Sequence, residues 1–205
     1  MRHPLLQDAS RIFVTADSHF GHAEAVDLYD RPYADEAEMT TTMVDRWNEI
    51  LRPDDLLVHL GDFVGDLSDS ERKIRIATEV RERIAVDRIL LVRGNHDSKR
   101  PEYARIFDDV VDLLDHRPAD SPLRVVMTHY PLRSWRGNRR GSFHLHGHTH
   151  GRIEEIGRST DVGVDCWQFR PIPLKPLLGL LAERPVVALP KRRAREQPDR
   201  DSRRI

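Results

Sequence analysis

Asp17-x-His19, Gly61-Asp62, Gly94-Asn95-His96-Asp97, His129 and Gly147-His148-Thr149-His150 are five clusters of oxygen and imidazole donors, each closing a short apolar run. One histidine after a strand carries little information; five such placements in one chain point to a metal site. The donors are carboxylates, one carboxamide and imidazoles. No cysteine lies near them, which excludes a zinc knot built from thiolates. Such a mixture suits manganese, iron, zinc, cobalt or nickel. It is too rich for one tetrahedral ion and about right for two. Two ions roughly 3.5–4 Å apart, bridged by a carboxylate, clamp a phosphoryl group and generate hydroxide at neutral pH. Asp62 is the expected bridge, because Gly61 lets the chain turn sharply just before it.

Elements that could deliver these groups are visible around them. The apolar runs are 11–16 (RIFVTA), 55–60 (DLLVHL), 88–92 (RILLV), 124–128 (RVVMT) and 142–146 (SFHLH). Aliphatic and β-branched runs of this length, bounded by Gly and Asp, read as buried strands. Functional groups in α/β sheets gather beyond the carboxyl ends of strands, so the five clusters are expected along one edge of one sheet. Between them, Met39, Met43, Trp47, Ile50 and Leu51 share a helical face that starts at Asp35 and ends before Pro53. A second helix is expected over 69–86, with Ile74, Ala77, Val80 and Ile84 inward. Both stripes read as core. Residues 171–181 read as a strand end followed by a short helix.

The order D-x-H, GD, GNHD, H, G-H-x-H resembles the calcineurin-like metallophosphoesterase superfamily. Ala16-Asp17-Ser18-His19-Phe20-Gly21-His22, Trp47-Asn48, His59-Leu60-Gly61-Asp62, Thr128-His129-Tyr130-Pro131 and Val162-Gly163-Val164-Asp165 are similar to its small bacterial and phage-type members. The resemblance spans about residues 11–173 and implies an α/β fold, a two-sheet β-sandwich flanked by helices. It also implies two divalent metal ions, with manganese expected first and iron, zinc, nickel or cobalt as alternatives. Asp17, His19, Asp62 and His150 would hold the first; Asp62, Asn95, His129 and His148 the second. His96 would touch the scissile phosphate and protonate the leaving oxygen or stabilise its charge, with Asp97 orienting its imidazole. A hydroxide bridging the metals would attack in line. Asp161 stands where these members usually carry Asn.

His22 lies within reach of such a site through Phe20-Gly21 and is a candidate for substrate contact. The segment 130–140 (YPLRSWRGNRR) joins two donor-bearing strand ends, which would put it on the rim. Its arginines and Trp135 could grip phosphates and stack a base, so Arg133 and Trp135 are further candidates. The competing reading is an ordinary solvated arginine loop. His144 and His146 alternate on one strand and read as structural, while His3 and His116 carry no signal.

With 205 residues and 39% apolar content, the chain can bury one good core. Residues 1–189 are the expected metallophosphoesterase domain. The tail 190–205 holds seven basic and three acidic residues and almost nothing apolar, so disorder is expected there. A formal charge of −1 recruits neither nucleic acid nor membrane as a whole. One cysteine excludes an intramolecular disulfide, and no apolar run has signal or membrane-span length, so a cytoplasmic protein is expected. A metallo-β-lactamase needs an early His-x-His-x-Asp-His cluster, which is absent; an HD-type site needs helices where His96-Asp97 follows an apolar run. The expected function is phosphoester hydrolysis, first of a diester, with a nucleotide or nucleic acid as possible substrate. The alternatives are a phosphomonoesterase and a metal-binding regulatory protein without turnover, against which His96 argues.

Overall fold

The computed structural model describes residues 3–8, 11–118 and 121–186; the basic tail and the 189/190 boundary lie outside them. In chain order the regular elements are α1 (Pro4–Asp8), β1 (Ile12–Thr15), α2 (Ala25–Leu28), α3 (Glu36–Asn48), β2 (Leu56–His59), α4 (Ser70–Arg83), β3 (Arg88–Val92) and α5 (Pro101–Ala104). There follow β4 (Asp109–Val111), β5 (Leu114–His116), β6 (Val125–Met127), β7 (Phe143–His146), β8 (Ser159–Asp161), β9 (Ile172–Pro173) and α6 (Leu174–Ala182).

The strands form two sheets, not one. The first has the order β4-β3-β2-β1-β9, parallel except for β9; the second has the order β5-β6-β7-β8, parallel except for β5. Residue alternation explains the layering. Val14, Leu56, Val58, Leu90 and Val92 turn from the first sheet toward Val125, Met127, Phe143 and Leu145 of the second, making the inner core. Phe13, Leu57, Ile89 and Leu91 point the other way, beneath Met39, Met43, Trp47, Ala77 and Val80 of α3 and α4. Strands covered on both faces have no polar side to show, so they read as continuous apolar runs.

Both long helices start where the sequence pattern puts them, and each start is capped by an aspartate. Asp35 accepts from Glu38 N, and Asp69 accepts from Glu71 N and Arg72 N. They stop earlier than the apolar pattern extends. Asn48 donates to Arg83 O and accepts from Ala85 N, at 2.8 Å each, and so satisfies backbone groups at the end of α4. This arrangement leaves α3 and α4 as a lid on one sheet. All five donor clusters then emerge at the carboxyl ends of β1, β2, β3, β6 and β7.

Candidate metal centre

Backbone hydrogen bonds stitch these strand ends together beyond the regular sheets. Asp17 N donates to Gly61 O and His19 N to Asp62 O, both at 3.0 Å, while Gly147 N donates to His129 O at 2.9 Å. Gly61 has φ +96°, and a Cβ there would stand 2.6 Å from Gly94 backbone atoms and the His129 ring. Only a glycine lets these three loops close together. Asp17, His19, Asp62, His148 and His150 all hold positive φ, between 49° and 70°. Left-handed backbone costs free energy in non-glycine residues, and its concentration on five candidate donors marks a site held in shape by its surroundings.

Asp17, His19 and His150 bring one donor atom each to within 4.8 Å of one another; Asp62, His129 and His148 do the same. Asp62 Oδ2 stands between the groups, 3.8 Å from His19 Nε2 and 3.4 Å from His129 Nε2. Each carboxylate is oriented by its other oxygen. Asp17 Oδ2 accepts from His148 N and Asp62 Oδ1 from His96 N, both at 2.8 Å. His129 Nδ1 lies 2.8 Å from Leu60 O; donating there leaves Nε2 free to coordinate a metal. Asn95 Oδ1 is 2.9 Å from that Nε2.

Several of these atoms have no other use. Asp17 Oδ1 and both ring nitrogens of His19 are buried without a hydrogen-bond partner among the described residues. Burial first, then the charges of Asp161 and Asp62, push the Asp17 carboxyl well above its ordinary value. Burial likewise holds His19 well below the usual imidazole value. A divalent cation would answer both, by supplying the missing partner and opposite charge. The donor set therefore fits two divalent ions.

Residues 10–168 match the calcineurin-like phosphoesterase family. The chain belongs to that family. It is 27% identical to an uncharacterised protein of Methanocaldococcus jannaschii, across 86% of this chain and 94% of the relative. It is 26% identical to the Gene 66 protein of Mycobacterium phage D29, across 77% of this chain and 89% of the relative. A solved protein of unknown function from Aquifex aeolicus shares the fold with a TM-score of 0.58 and 22% identity, across 83% of this chain and 98% of that one. As a calcineurin-like phosphoesterase the chain is a metal-dependent hydrolase of phosphate esters, and the family's divalent ions have candidate ligands here.

Within this phosphoesterase, two expectations need correction. Asp97 does not touch His96. Its buried carboxylate accepts from Phe63 N and Tyr103 OH on one oxygen and from Asp62 N and Gly94 N on the other. These four bonds occupy it completely, so it braces the loops after β2 and β3. The carboxylate near His96 is the exposed Asp66, 3.6 Å from Nδ1, while Lys73 Nζ holds the His96 carbonyl at 2.6 Å. His96 Nε2 faces inward, 3.9 Å from Asp62 Oδ2.

Trp135 does not offer its ring to a substrate. It is 8% exposed, donates Nε1 to Ser142 O and stacks on His144 at 5.1 Å. An indole in an otherwise arginine-rich loop needed a core, and it found one on the outer face of the second sheet. Arg133 is exposed, and the half-exposed ring by the centre is Tyr130, 4.5 Å from His148. His22 is buried beside the centre, with its ring 5.7 Å from His19.

Residues invisible to motif reading complete the surroundings. Arg31 is buried, pairs with Asp165 through two 2.9 Å bonds and donates to Asp17 O and Ser18 O. Asp165 also receives His150 Nδ1 at 2.7 Å. Tyr29 lies flat on the His150 ring, 3.6 Å away. Asp161 accepts from Thr149 Oγ1, Gly151 N and Gly163 N, which gives this carboxylate a role in shaping the His148–His150 loop. Asp165 carried a signal as the end of the Val162-Gly163-Val164-Asp165 stretch, and Asp161 only as a departure from the usual Asn; Arg31 and Tyr29 carried none.

Proposed function

We propose that the protein is a phosphodiesterase working with two divalent ions. Asp17, His19, Asp62 and His150 would hold one ion; Asp62, Asn95, His129 and His148 the other. The observation that carries this reading is Asp62 Oδ2, which stands between His19 and His129 while its partner oxygen is pinned by His96 N. When bound, such ions activate water and offset charge on the phosphoryl oxygens. His96 Nε2, on the inner side of a half-buried ring, would donate its proton to the leaving oxygen. Asp97 would act at a distance, by holding the Asp62 and Gly94 backbone. Arg31 commits its donors to Asp165 and two carbonyls, so it would serve as scaffold and not as a phosphate ligand.

In this reading manganese is the working metal and nucleotides or nucleic acids are among the substrates, with His22 and Tyr130 beside the centre and Arg133 exposed on the loop that follows His129. A cytoplasmic location accords with the lone cysteine, and no helix among the described residues is long and apolar enough to cross a membrane. Purified protein should hydrolyse bis(p-nitrophenyl) phosphate faster than p-nitrophenyl phosphate with Mn²⁺, and neither in EDTA. Faster monoester turnover would overturn the diester reading. Turnover that survives complete removal of metal would overturn the metal centre itself.

A further inference from the structure

The two donor groups are built differently. Asp17 and His19 are buried, and His150 is locked on several sides. Tyr29 covers one face of its ring at 3.6 Å and 10°, His19 stacks at 5.2 Å and 28°, and Nδ1 donates to Asp165. The same Asp165 binds Arg31, whose side chain is fully buried and whose Nη2 reaches Asp17 O at 2.7 Å. A single guanidinium thus ties down the left-handed backbone of Asp17 and, through Asp165, the tautomer of His150. Asp165 offsets the arginine's charge, which reduces its repulsion of a cation beside it. The other group is braced through its backbone, by Asp97 beneath Asp62 and Gly94. His129 is fixed by Leu60 O, but Asn95 and His148 are exposed, and the His148 ring leans on Tyr130, which is itself 49% exposed.

We infer that Arg31 and Asp165 make the Asp17–His19–His150 group a preformed, tight site, and that the Asp62–Asn95–His129–His148 group fills only at higher metal concentration. This rests on the metal-centre reading above. Donors already ordered lose little conformational freedom when an ion binds, whereas exposed donors must be ordered at that moment. Arg31 and Asp165 are positioning residues, since neither would touch the ion or the substrate.

The test is Mn²⁺ binding to the metal-free full-length protein, followed by calorimetry and by the electron paramagnetic resonance signal of free Mn²⁺. Wild type should bind in two steps. Arg31→Met should weaken the tight step about 10–100-fold, the usual effect of removing a partner behind a metal ligand, and the weak step far less. Asp165→Asn, which keeps shape and removes charge, should do the same if Arg31→Met fails to fold. It should also weaken the preference for the Nδ1-protonated tautomer of His150 in ¹H–¹⁵N spectra of the metal-free protein, because an amide oxygen is a poorer acceptor than a carboxylate. Asn95→Ala should weaken only the second step. A single class of equal sites would overturn the inference, as would equal weakening of both steps by Asp165→Asn. Absence of any Mn²⁺ binding would sink the metal centre as well. Two-step binding without diester turnover would refute only the proposed activity.

Discussion

His144 should make the fold acid-sensitive. It is buried in the second sheet with both ring nitrogens engaged, Nε2 at 3.0 Å from Thr128 Oγ1 and Nδ1 at 2.8 Å from Ser159 Oγ. Its ring lies between Trp135 and His146, at 5.1 and 5.3 Å. Burial, and secondarily the neighbouring His146, lower its pKa from 6.5 to about 3. The unfolded chain protonates this imidazole near 6.5, so between the two values the unfolded state carries one more proton. Stability supplied by neutral His144 is therefore complete above pH 6.5 and is lost as pH falls toward 3. Linkage gives a loss of about 2 kcal/mol between pH 7.5 and 5.0 from this one group. His144→Gln keeps an amide for one of the two hydroxyls and cannot take up the proton. Urea unfolding of both proteins in chelator at each pH would read the difference, because titrations common to the two cancel. The variant should be less stable at pH 7.5, and the gap should close by about 2 kcal/mol at pH 5.0. Parallel stability curves would mean that the folded protein accommodates a charged His144, and would refute the reasoning.

Three further outcomes are expected. His96→Ala should retain both metals by elemental analysis but lose about 10²–10⁴-fold in turnover on esters with poor leaving groups, and less on nitrophenyl esters; equal losses would leave His96 only a positioning role. Asp62→Ala should lower occupancy of both ions, whereas Asn95→Ala should lower one; a fully loaded Asp62→Ala protein would count against the bridge. Asp97→Ala strands the Asp62, Phe63 and Gly94 amides and the Tyr103 hydroxyl, so unfolding should cost on the order of 3 kcal/mol less than in wild type. Chemical denaturation measures this, and an unchanged midpoint would show that those donors find other partners.

The donor clusters, the strands before them and the helix starts at Asp35 and Asp69 are local features, and local pattern is enough to read them. An aliphatic run ending in Gly-Asp looks the same wherever it sits in the fold. Gly61 could be assigned a turn for the same reason, since the demand for positive φ is a property of one residue and its neighbours.

Long-range choices were settled only by folding. Alternation along a strand says which side chains share a face, not which sheet the strand joins, so the single edge expected for all five clusters became the edges of two sheets. Asp97 next to His96 invites a pairing, yet successive residues point apart, and the carboxylate was captured by backbone donors from Asp62 and Phe63. Trp135 carries an apolar ring and a polar N–H in a loop; whether it faces substrate or core depends on what lies beneath, and His144 lies beneath. Arg31 and Asp165 are 134 residues apart. Neither has a neighbour in sequence that hints at the other, because a buried ion pair is selected by the space left when sheets and loops have packed. Sequence determined which atoms could bind metal; tertiary packing decided which groups hold them in place, since that depends on contacts no local pattern encodes.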